Sequence, residues 1–130
     1  MNILLDTSAL IWLLNSPEGK LLGREAKQRI ESATAVYASS ISVLEIRIKA
    51  LLGKLIAPET LLEDVAAAGL KNIAFTMEHA DSIRNFPDLS GHDPFDRMLL
   101  AQAQTEGLTF MTSDKMLLDM ERDFIINARR

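Results

Sequence analysis

Acidic residues in this 130-residue sequence follow short apolar runs or stand near the start of helical patterns. Asp6 directly follows the run NILL, and Glu45 lies just beyond the run AVYAS. Asp96 lies near the start of a third pattern, and Asp114 comes shortly after the run LTFMT. Side chains at such positions can meet in one site, so these four acids are the first candidates for chemistry.

Carboxylates that are held together create a site for a cation. Two unit charges ~4 Å apart repel by about 4 kcal/mol at an effective dielectric near 20, so such a cluster either takes up protons or binds cations. Oxygen ligands without His or Cys favour Mg²⁺ or Mn²⁺ over zinc. Such an ion lowers the pKa of a bound water and stabilises phosphoryl oxygens during in-line attack. The pattern therefore favours hydrolysis of a phosphate ester, and the sequence has neither the Gly-rich loop of an NTPase nor a GxSxG nucleophile motif.

Each acid also has a local explanation in helix capping. Asp93 followed by Pro94 predicts a helix start, because proline fixes φ and lacks an N–H that the first turn would leave unpaired. Asp93 is therefore interpreted chiefly as a cap, with an accessory role beside Asp96. Ser42 and Glu45 match a capping box, in which the Glu side chain reaches back to the cap N–H. Capping is worth roughly 0.5–2 kcal/mol for each acid, but it does not require every such position along one edge of a sheet to be acidic.

Short apolar strands alternate with helices along the chain, which predicts an α/β fold. The expected architecture has three layers, with a mostly parallel central sheet of four to five strands and helices on both faces. Ligands of such sheets bind outside the carboxyl ends of the strands, so all four acids are expected at one edge. Predicted strands cover residues 2–5, 35–39, 72–76, 108–112 and 124–127. Predicted helices follow Thr7 or Ser8 up to a break at Asn15-Ser16-Pro17, cover 23–33, run from Ser42 to Gly53, cover 58–68 and 77–85, run from Asp93 to Gly107, and cover 115–121.

The composition predicts one domain over residues 1–130, because 48% hydrophobic residues can supply a core for a chain of this length. The absence of cysteine excludes disulfides, thiolate nucleophiles and zinc sites built on sulfur. The N-terminus lacks the basic lead-in of a signal peptide, and no apolar run reaches the ~18 residues of a membrane span, so a cytoplasmic protein is expected. A net charge of -4 and 5% aromatic residues argue against a surface that coats nucleic acid, so any nucleic-acid binding must be local.

Four motifs in order carry a resemblance to a known family. They are DTSALIWLL at the start, SxxSxxEIxxKxxxGKL over residues 39–55, HDPFDRMLLAQA over 92–103, and EGLTFMTSD over 106–114. With them, the chain resembles PIN-domain ribonucleases, specifically the VapC-like toxins of type II toxin–antitoxin systems. The resemblance implies RNA cleavage that depends on Mg²⁺ or Mn²⁺, a homodimer, and inhibition by a cognate antitoxin. It implies catalytic and metal-binding roles for the acids of the family's site, which correspond here to Asp6, Glu45, Asp96 and Asp114.

Other polar residues near these acids have roles that the sequence leaves open. His92 directly precedes Asp93, whereas many relatives place one residue between them, and Met120 stands where an aromatic often follows the final acid. Histidines such as His92 and His79 are more often polar helix or loop residues than ligands. Arg97 is interpreted first as pairing with an acid, and contact with an RNA phosphate is the alternative. Caps, turns or orientation of the carboxylates are the alternatives for Thr7, Ser8, Thr112 and Ser113, and phosphate contact or solvated surface for Lys49, Lys54 and Lys115.

Two other kinds of protein compete with the nuclease interpretation. A receiver-like signalling domain is also α/β with clustered acids and Mg²⁺, but it needs a phosphoacceptor Asp at the end of a middle strand and a Lys at the end of a late one. Here the third predicted strand ends in Thr76, and Lys115 comes only after Asp114. A catalytically silent binding module with the same fold would bind metal without cleaving RNA.

Overall fold

The computed structural model describes residues 1–15, 21–89 and 91–130. The predicted helix break at Ser16-Pro17 and the loop residue Ser90 lie outside these ranges. The strands are β1 (Asn2–Leu5), β2 (Ala35–Ser39), β3 (Lys71–Ile73), β4 (Thr109–Thr112) and β5 (Ile125–Asn127). The helices are α1 (Thr7–Asn15), α2 (Arg24–Ser32), α3 (Ser40–Leu51), α4 (Leu61–Ala67), α5 (Met77–Asp81), α6 (Pro94–Glu106) and α7 (Lys115–Leu118), with 3₁₀ turns at Ser82–Asn85 and Pro87–Leu89.

The strands of the described ranges form one parallel sheet in the order β3-β2-β1-β4-β5. The chain moves outward from β1 through β2 to β3, and then returns to place β4 on the other side of β1. The order in which strands are added therefore reverses between β1 and β4. Ligands of open α/β sheets bind in the crevice at such a point. This arrangement confirms the predicted α/β class, and it makes β3 and β5 the edges.

Side chains of the central strands alternate between two buried cores, so both faces of the sheet are covered. Ile3 and Leu5 pack into a core with residues of α1, α2 and α4. Leu4, between them, packs on the opposite face with residues of α6 and α7. Alternation of this kind is what a strand buried on both faces requires. The result is the predicted three-layer arrangement, with β1 at its centre.

Some element ends differ from those predicted. β3 stops at Ile73 rather than Thr76, because the N–H of Phe75 bonds to the Ser40 hydroxyl (3.1 Å) instead of extending the strand ladder. Pro58 does not begin a helix. α4 starts three residues later, after Thr60, whose hydroxyl lies 3.2 Å from a carboxylate oxygen of Asp64.

Further differences concern the ends of two helices. α5 ends at Asp81, and the predicted continuation to residue 85 is a 3₁₀ turn. α7 ends at Leu118, shortly before Glu121 adopts a positive φ of 53°. None of the helices in the described ranges has the length and apolar content needed to cross a membrane.

Candidate functional site

Four carboxylates converge at the carboxyl edge of the sheet, beside the junction of β1 and β4. Asp6 directly follows β1, and Asp114 follows β4. Glu45 lies in α3, and Asp96 lies in the first turn of α6. The pKa of Asp96 is raised from its ordinary value of 3.8 to about 7, first by burial and then by the charges of Asp6, Asp93, Asp114 and Glu45. The four predicted site acids therefore lie near enough to act on one another electrostatically.

Asp6 is buried, and it accepts hydrogen bonds both from the helix that follows it and from residues at the end of β4. Its Oδ1 accepts the N–H of Ala9 at 2.7 Å. Its Oδ2 accepts the Thr112 hydroxyl at 2.7 Å and the backbone N–H of Ser113 at 3.4 Å. Burial raises the pKa of Asp6, these hydrogen bonds lower it, and the charge of Glu45 raises it, with burial the largest effect. Asp6 is thus held in one orientation by the residues that follow β4.

Glu45 does not form the capping box that the sequence predicts. β2 passes directly into α3, so the helix begins after Ser39, whose side chain caps it, and both Ser42 and Glu45 lie inside the helix. Glu45 is buried, and its Oε1 accepts the Thr7 hydroxyl at 2.6 Å while its Oε2 accepts Lys49 Nζ at 2.6 Å. The hydrogen bond to Glu45 is the largest cause of the raised pKa of Lys49. Glu45 is therefore oriented by Thr7 of α1, and its charge is partly neutralised by Lys49 of its own helix.

Asp114 and Asp96 share a contact with a histidine. Asp114 caps α7 through its Oδ1, which accepts the N–H of Leu117 at 3.1 Å. Its Oδ2 lies 3.0 Å from His92 Nε2, and the same nitrogen lies 3.5 Å from Asp96 Oδ2. Each of these three side chains offers one atom able to bind a metal, and the atoms all lie within 4.8 Å of one another. The sequence left the role of His92 open, and no local signal could predict its contact with Asp114, which lies 22 positions away.

Asp93 begins α6 as the sequence predicts. Its Oδ1 accepts the N–H of Phe95 at 2.8 Å, and Pro94 occupies the first helical position. The helix ends at Gly107, which has the predicted left-handed backbone with φ 67°. Asp93 also contributes to the raised pKa of Asp96, so its charge reaches the site although its side chain caps the helix.

The predicted accessory hydroxyls differ in whether they contact an acid. The Thr7 hydroxyl donates its proton to Glu45. Because a hydroxyl has only one proton, Ser42 is the donor in the 3.0 Å hydrogen bond between Ser42 and Thr7. Ser8 is exposed, and in the ranges that the structure describes no hydrogen bond joins it to a site acid. α1 begins at Thr7, so its cap is Asp6 rather than Thr7 or Ser8. Side-chain contact with an acid is thus observed for Thr7 but not for Ser8.

Arg97 follows Asp96 on α6, and one nitrogen of its guanidinium group is buried. Its Nε is buried without a hydrogen-bond partner in the structure. Among the salt bridges of residues 1–15, 21–89 and 91–130, none involves Arg97. The pairing with an acid that the sequence favoured is therefore not seen in this part of the chain.

Thr112 joins the two strand-end acids, and Thr112→Val should destabilise the protein. The fully buried hydroxyl donates to Asp6 and accepts the backbone N–H of Asp114 at 3.0 Å. Valine has nearly the same shape but leaves both groups unsatisfied, so we expect a loss of about 1–3 kcal/mol in the free energy of unfolding. Urea titration followed by circular dichroism measures it. Thr112→Ser keeps the hydroxyl and is the matched control; an equal loss in both variants would mean that the methyl group, and not the hydroxyl, matters.

The donor set fits a hard divalent cation. Carboxylate oxygens dominate the site, and they are the ligands that Mg²⁺ and Mn²⁺ prefer. The Asp96 side chain is 20% exposed and lies near four other acids. In the described residues its carboxylate has a 3.5 Å contact with His92, and the charge of Lys49 also acts on it. A bound cation would remove the repulsion that raises the pKa of Asp96.

Comparisons with known proteins agree with this geometry. Residues 3–123 match the family model of the PIN domain. A search of curated protein sequences gave no match. Three similar solved structures are VapBC2 from Rickettsia felis bound to a promoter DNA fragment (TM-score 0.69, 15% identity, 98% of each chain), DNA-bound VapBC from Salmonella typhimurium (0.66, 23%, 98% of each chain), and VapC20 from Mycobacterium tuberculosis, a Sarcin-Ricin loop cleaving toxin (0.57, 15%, 92% of this chain and 95% of that chain). At these identities the structures show a shared fold.

Proposed function

Because the chain belongs to the PIN-domain family, we propose that it is a metal-dependent endoribonuclease and the toxin of a toxin–antitoxin pair. The observation that carries the proposal is the meeting of four carboxylates beside β1 and β4, where the strand order reverses, with the pKa of Asp96 raised by burial and by the neighbouring acids. VapC20 from Mycobacterium tuberculosis, which shares this fold, is a Sarcin-Ricin loop cleaving toxin. A cytoplasmic location follows from an RNA substrate.

We assign the metal-binding and catalytic roles to Asp6, Glu45, Asp96 and Asp114, with Mg²⁺ or Mn²⁺ as the ion. When bound, such an ion lowers the pKa of a water and stabilises the phosphoryl oxygens that develop charge. The protein holds the carboxylates that would bind the ion in fixed positions. Thr112 fixes Asp6, and Thr7 fixes Glu45, so neither carboxylate needs to reorganise during the reaction.

Positioning of the RNA is assigned to the cations around the acids. Lys49 is about half-exposed beside Glu45, so it can leave that carboxylate and meet a phosphate. Arg97 follows Asp96 in the sequence of α6, its buried Nε has no hydrogen-bond partner among the described residues, and its fork of donors suits phosphate oxygens. These contacts are local, which agrees with the net charge of -4 for the whole chain.

A cognate antitoxin and a second copy of the chain are the proposed protein partners. The solved structures from Rickettsia felis and Salmonella typhimurium are toxin–antitoxin complexes. Large apolar side chains are exposed on this chain, as on surfaces that partners cover. In the described residues they include an almost fully exposed Ile56, three positions of α3 and the residue that follows this helix. The positions on α3 and its end are Leu44, Ile48, Leu51 and Leu52.

The test of this function uses antitoxin-free protein and total RNA, with Mg²⁺ or with EDTA, followed by mapping of the cut ends. Cleavage is expected with the metal and not with EDTA. Asp6→Asn should reduce the rate at least about a hundredfold, because losing even an outer partner of a metal ligand commonly costs 10–100-fold. Asp81→Asn is the matched control, because Asp81 is 70% exposed in a surface ion pair with Arg84.

Full cleavage by Asp6→Asn, or by the wild-type protein in EDTA, would contradict the proposal. Metal binding without any cleavage would instead support a catalytically silent binding module. The receiver-like alternative is disfavoured by the sheet, because the order β3-β2-β1-β4-β5 differs from the 2-1-3-4-5 order of receiver domains.

A further inference from the structure

We propose that His92 is a ligand of the metal through its Nε2, and that the site therefore prefers Mn²⁺ to Mg²⁺. This inference rests on the proposed metal-binding site, and it adds a nitrogen to the four carboxylates assigned above. It makes the choice between the two ions depend on one side chain.

The position of His92 is fixed by the chain around it. Its backbone N–H donates to the carbonyl of Leu89 at 2.9 Å, which ties it to the 3₁₀ turn before α6. It lies in the bend two residues before α6 begins at Pro94, and its ring reaches Asp96 in the first turn of that helix, with Nε2 3.5 Å from Asp96 Oδ2. The imidazole is only 13% exposed. Nε2 is thus directed toward Asp96 and Asp114 by a partly buried ring.

Distances around Nε2 match those between neighbouring ligands of one ion. Metal–ligand bonds of about 2.1 Å at right angles place adjacent ligand atoms about 3.0 Å apart. His92 Nε2 lies 3.0 Å from Asp114 Oδ2 and 3.5 Å from Asp96 Oδ2. The ring needs only to carry its proton on Nδ1 for the Nε2 lone pair to face both acids. An ion can therefore bind all three atoms without a large movement of the chain.

A nitrogen ligand changes which ion binds best. Mg²⁺ and Mn²⁺ both favour carboxylate oxygens, but Mn²⁺ is a first-row transition ion and gains more than Mg²⁺ from an imidazole nitrogen. We expect the ratio of the Mn²⁺ affinity to the Mg²⁺ affinity to exceed one in the wild-type protein. In His92→Gln, which offers an amide oxygen instead, that ratio should fall toward one. Isothermal titration calorimetry with each ion alone measures both affinities.

Pulsed electron paramagnetic resonance of the Mn²⁺-loaded full chain reads the bond directly, because a coordinated imidazole nitrogen couples to the electron spin of Mn²⁺. The chain has two histidines. The other, His79, is buried with its ring nitrogens 3.0 Å from the N–H of Thr76 and 3.3 Å from Glu106, so it is the matched control. The nitrogen coupling should be present in wild type and in His79→Gln, and absent in His92→Gln.

Absence of the coupling in the wild type, or its persistence in His92→Gln, would overturn the inference. A loss of melting temperature in His92→Gln with the coupling retained would mean that the histidine has only a structural role. The proposed function is tested separately: RNA cleavage without nitrogen coupling refutes the ligand role of His92 alone, and nitrogen coupling without RNA cleavage refutes the nuclease function while supporting the ligand.

Discussion

Asp96→Asn is expected to abolish metal-dependent RNA cleavage and, at the same time, to make the metal-free protein more stable. The substitution removes a carboxylate whose pKa burial and four neighbouring acids raise to about 7. Each tenfold change in an acid dissociation constant corresponds to about 1.4 kcal/mol. Since solvent screens part of the side chain, we expect a gain of about 2–4 kcal/mol in the free energy of unfolding at pH 8 in EDTA. Cleavage should fall at least about a hundredfold, because a metal ligand is lost.

The neighbouring acid on the same helix supplies a stability control of opposite sign. Asp93 caps α6 with a 2.8 Å hydrogen bond to the N–H of Phe95, so Asp93→Ala should cost about 0.5–2 kcal/mol. Urea titrations of both variants at pH 8 in EDTA, together with RNA cleavage in Mg²⁺ or Mn²⁺, complete the experiment. Undiminished cleavage by Asp96→Asn would remove Asp96 from the site, and a loss of stability would show that its carboxylate is not under repulsion.

The second large effect is a reversal of the pH dependence of stability when metal is added. Asp96 has a higher pKa in the folded state, about 7, than its ordinary value of 3.8. Between these two pH values the folded state binds more protons than the unfolded state, so the stability of the metal-free protein should fall as the pH rises from about 4 to 7 and change little above. Burial raises the pKa of Asp6 as well, which adds a change of the same sign.

A divalent cation should produce the opposite trend, because it binds the deprotonated carboxylates and competes with protons. Free ion at one hundred times its dissociation constant stabilises the folded state by about 2.7 kcal/mol. Melting temperatures between pH 5 and pH 8, in EDTA and in Mn²⁺, measure both trends. The stabilisation by Mn²⁺ should grow with pH in the wild type and be much smaller in Asp96→Asn. Equal stabilisation at pH 5 and pH 8 would argue that the ion binds elsewhere.

Local signals in the sequence were sufficient for much of the fold. β1 and β2 have the predicted bounds, because apolar runs bounded by polar residues leave little choice of register. α6 begins and ends as predicted, since Asp93-Pro94 and Gly107 satisfy the ends of the helix by themselves. The predicted ends of β3 and α4 were wrong, because β3 is ended by a hydrogen bond to Ser40 of α3 and α4 begins after Thr60 rather than at Pro58.

The site was predictable in its composition but not in its contacts. The strand-end rule brought Asp6, Glu45, Asp96 and Asp114 to one edge, yet the Ser42 capping box was wrong because no local rule shows that α3 starts at the end of β2. The partners of Glu45 include Thr7, which lies 38 positions away and is brought near only by packing of α1 on α3. In the same way, His92 contacts Asp114 across 22 positions.

The hydrogen bond between Thr112 and Asp6 spans 106 positions of the chain. β1 is the central strand, and it receives β4 as a neighbour only after most of the sequence has been synthesised. Such long-range pairing forms late, because the loop must close before the contact gains anything. A ribosome-bound fragment that lacks β4 and the residues after it thus has neither the Thr112 and Ser113 partners of Asp6 nor Asp114. The proposed nuclease would be inert until β4 and Asp114 have been synthesised, and the complete site would form only after that point.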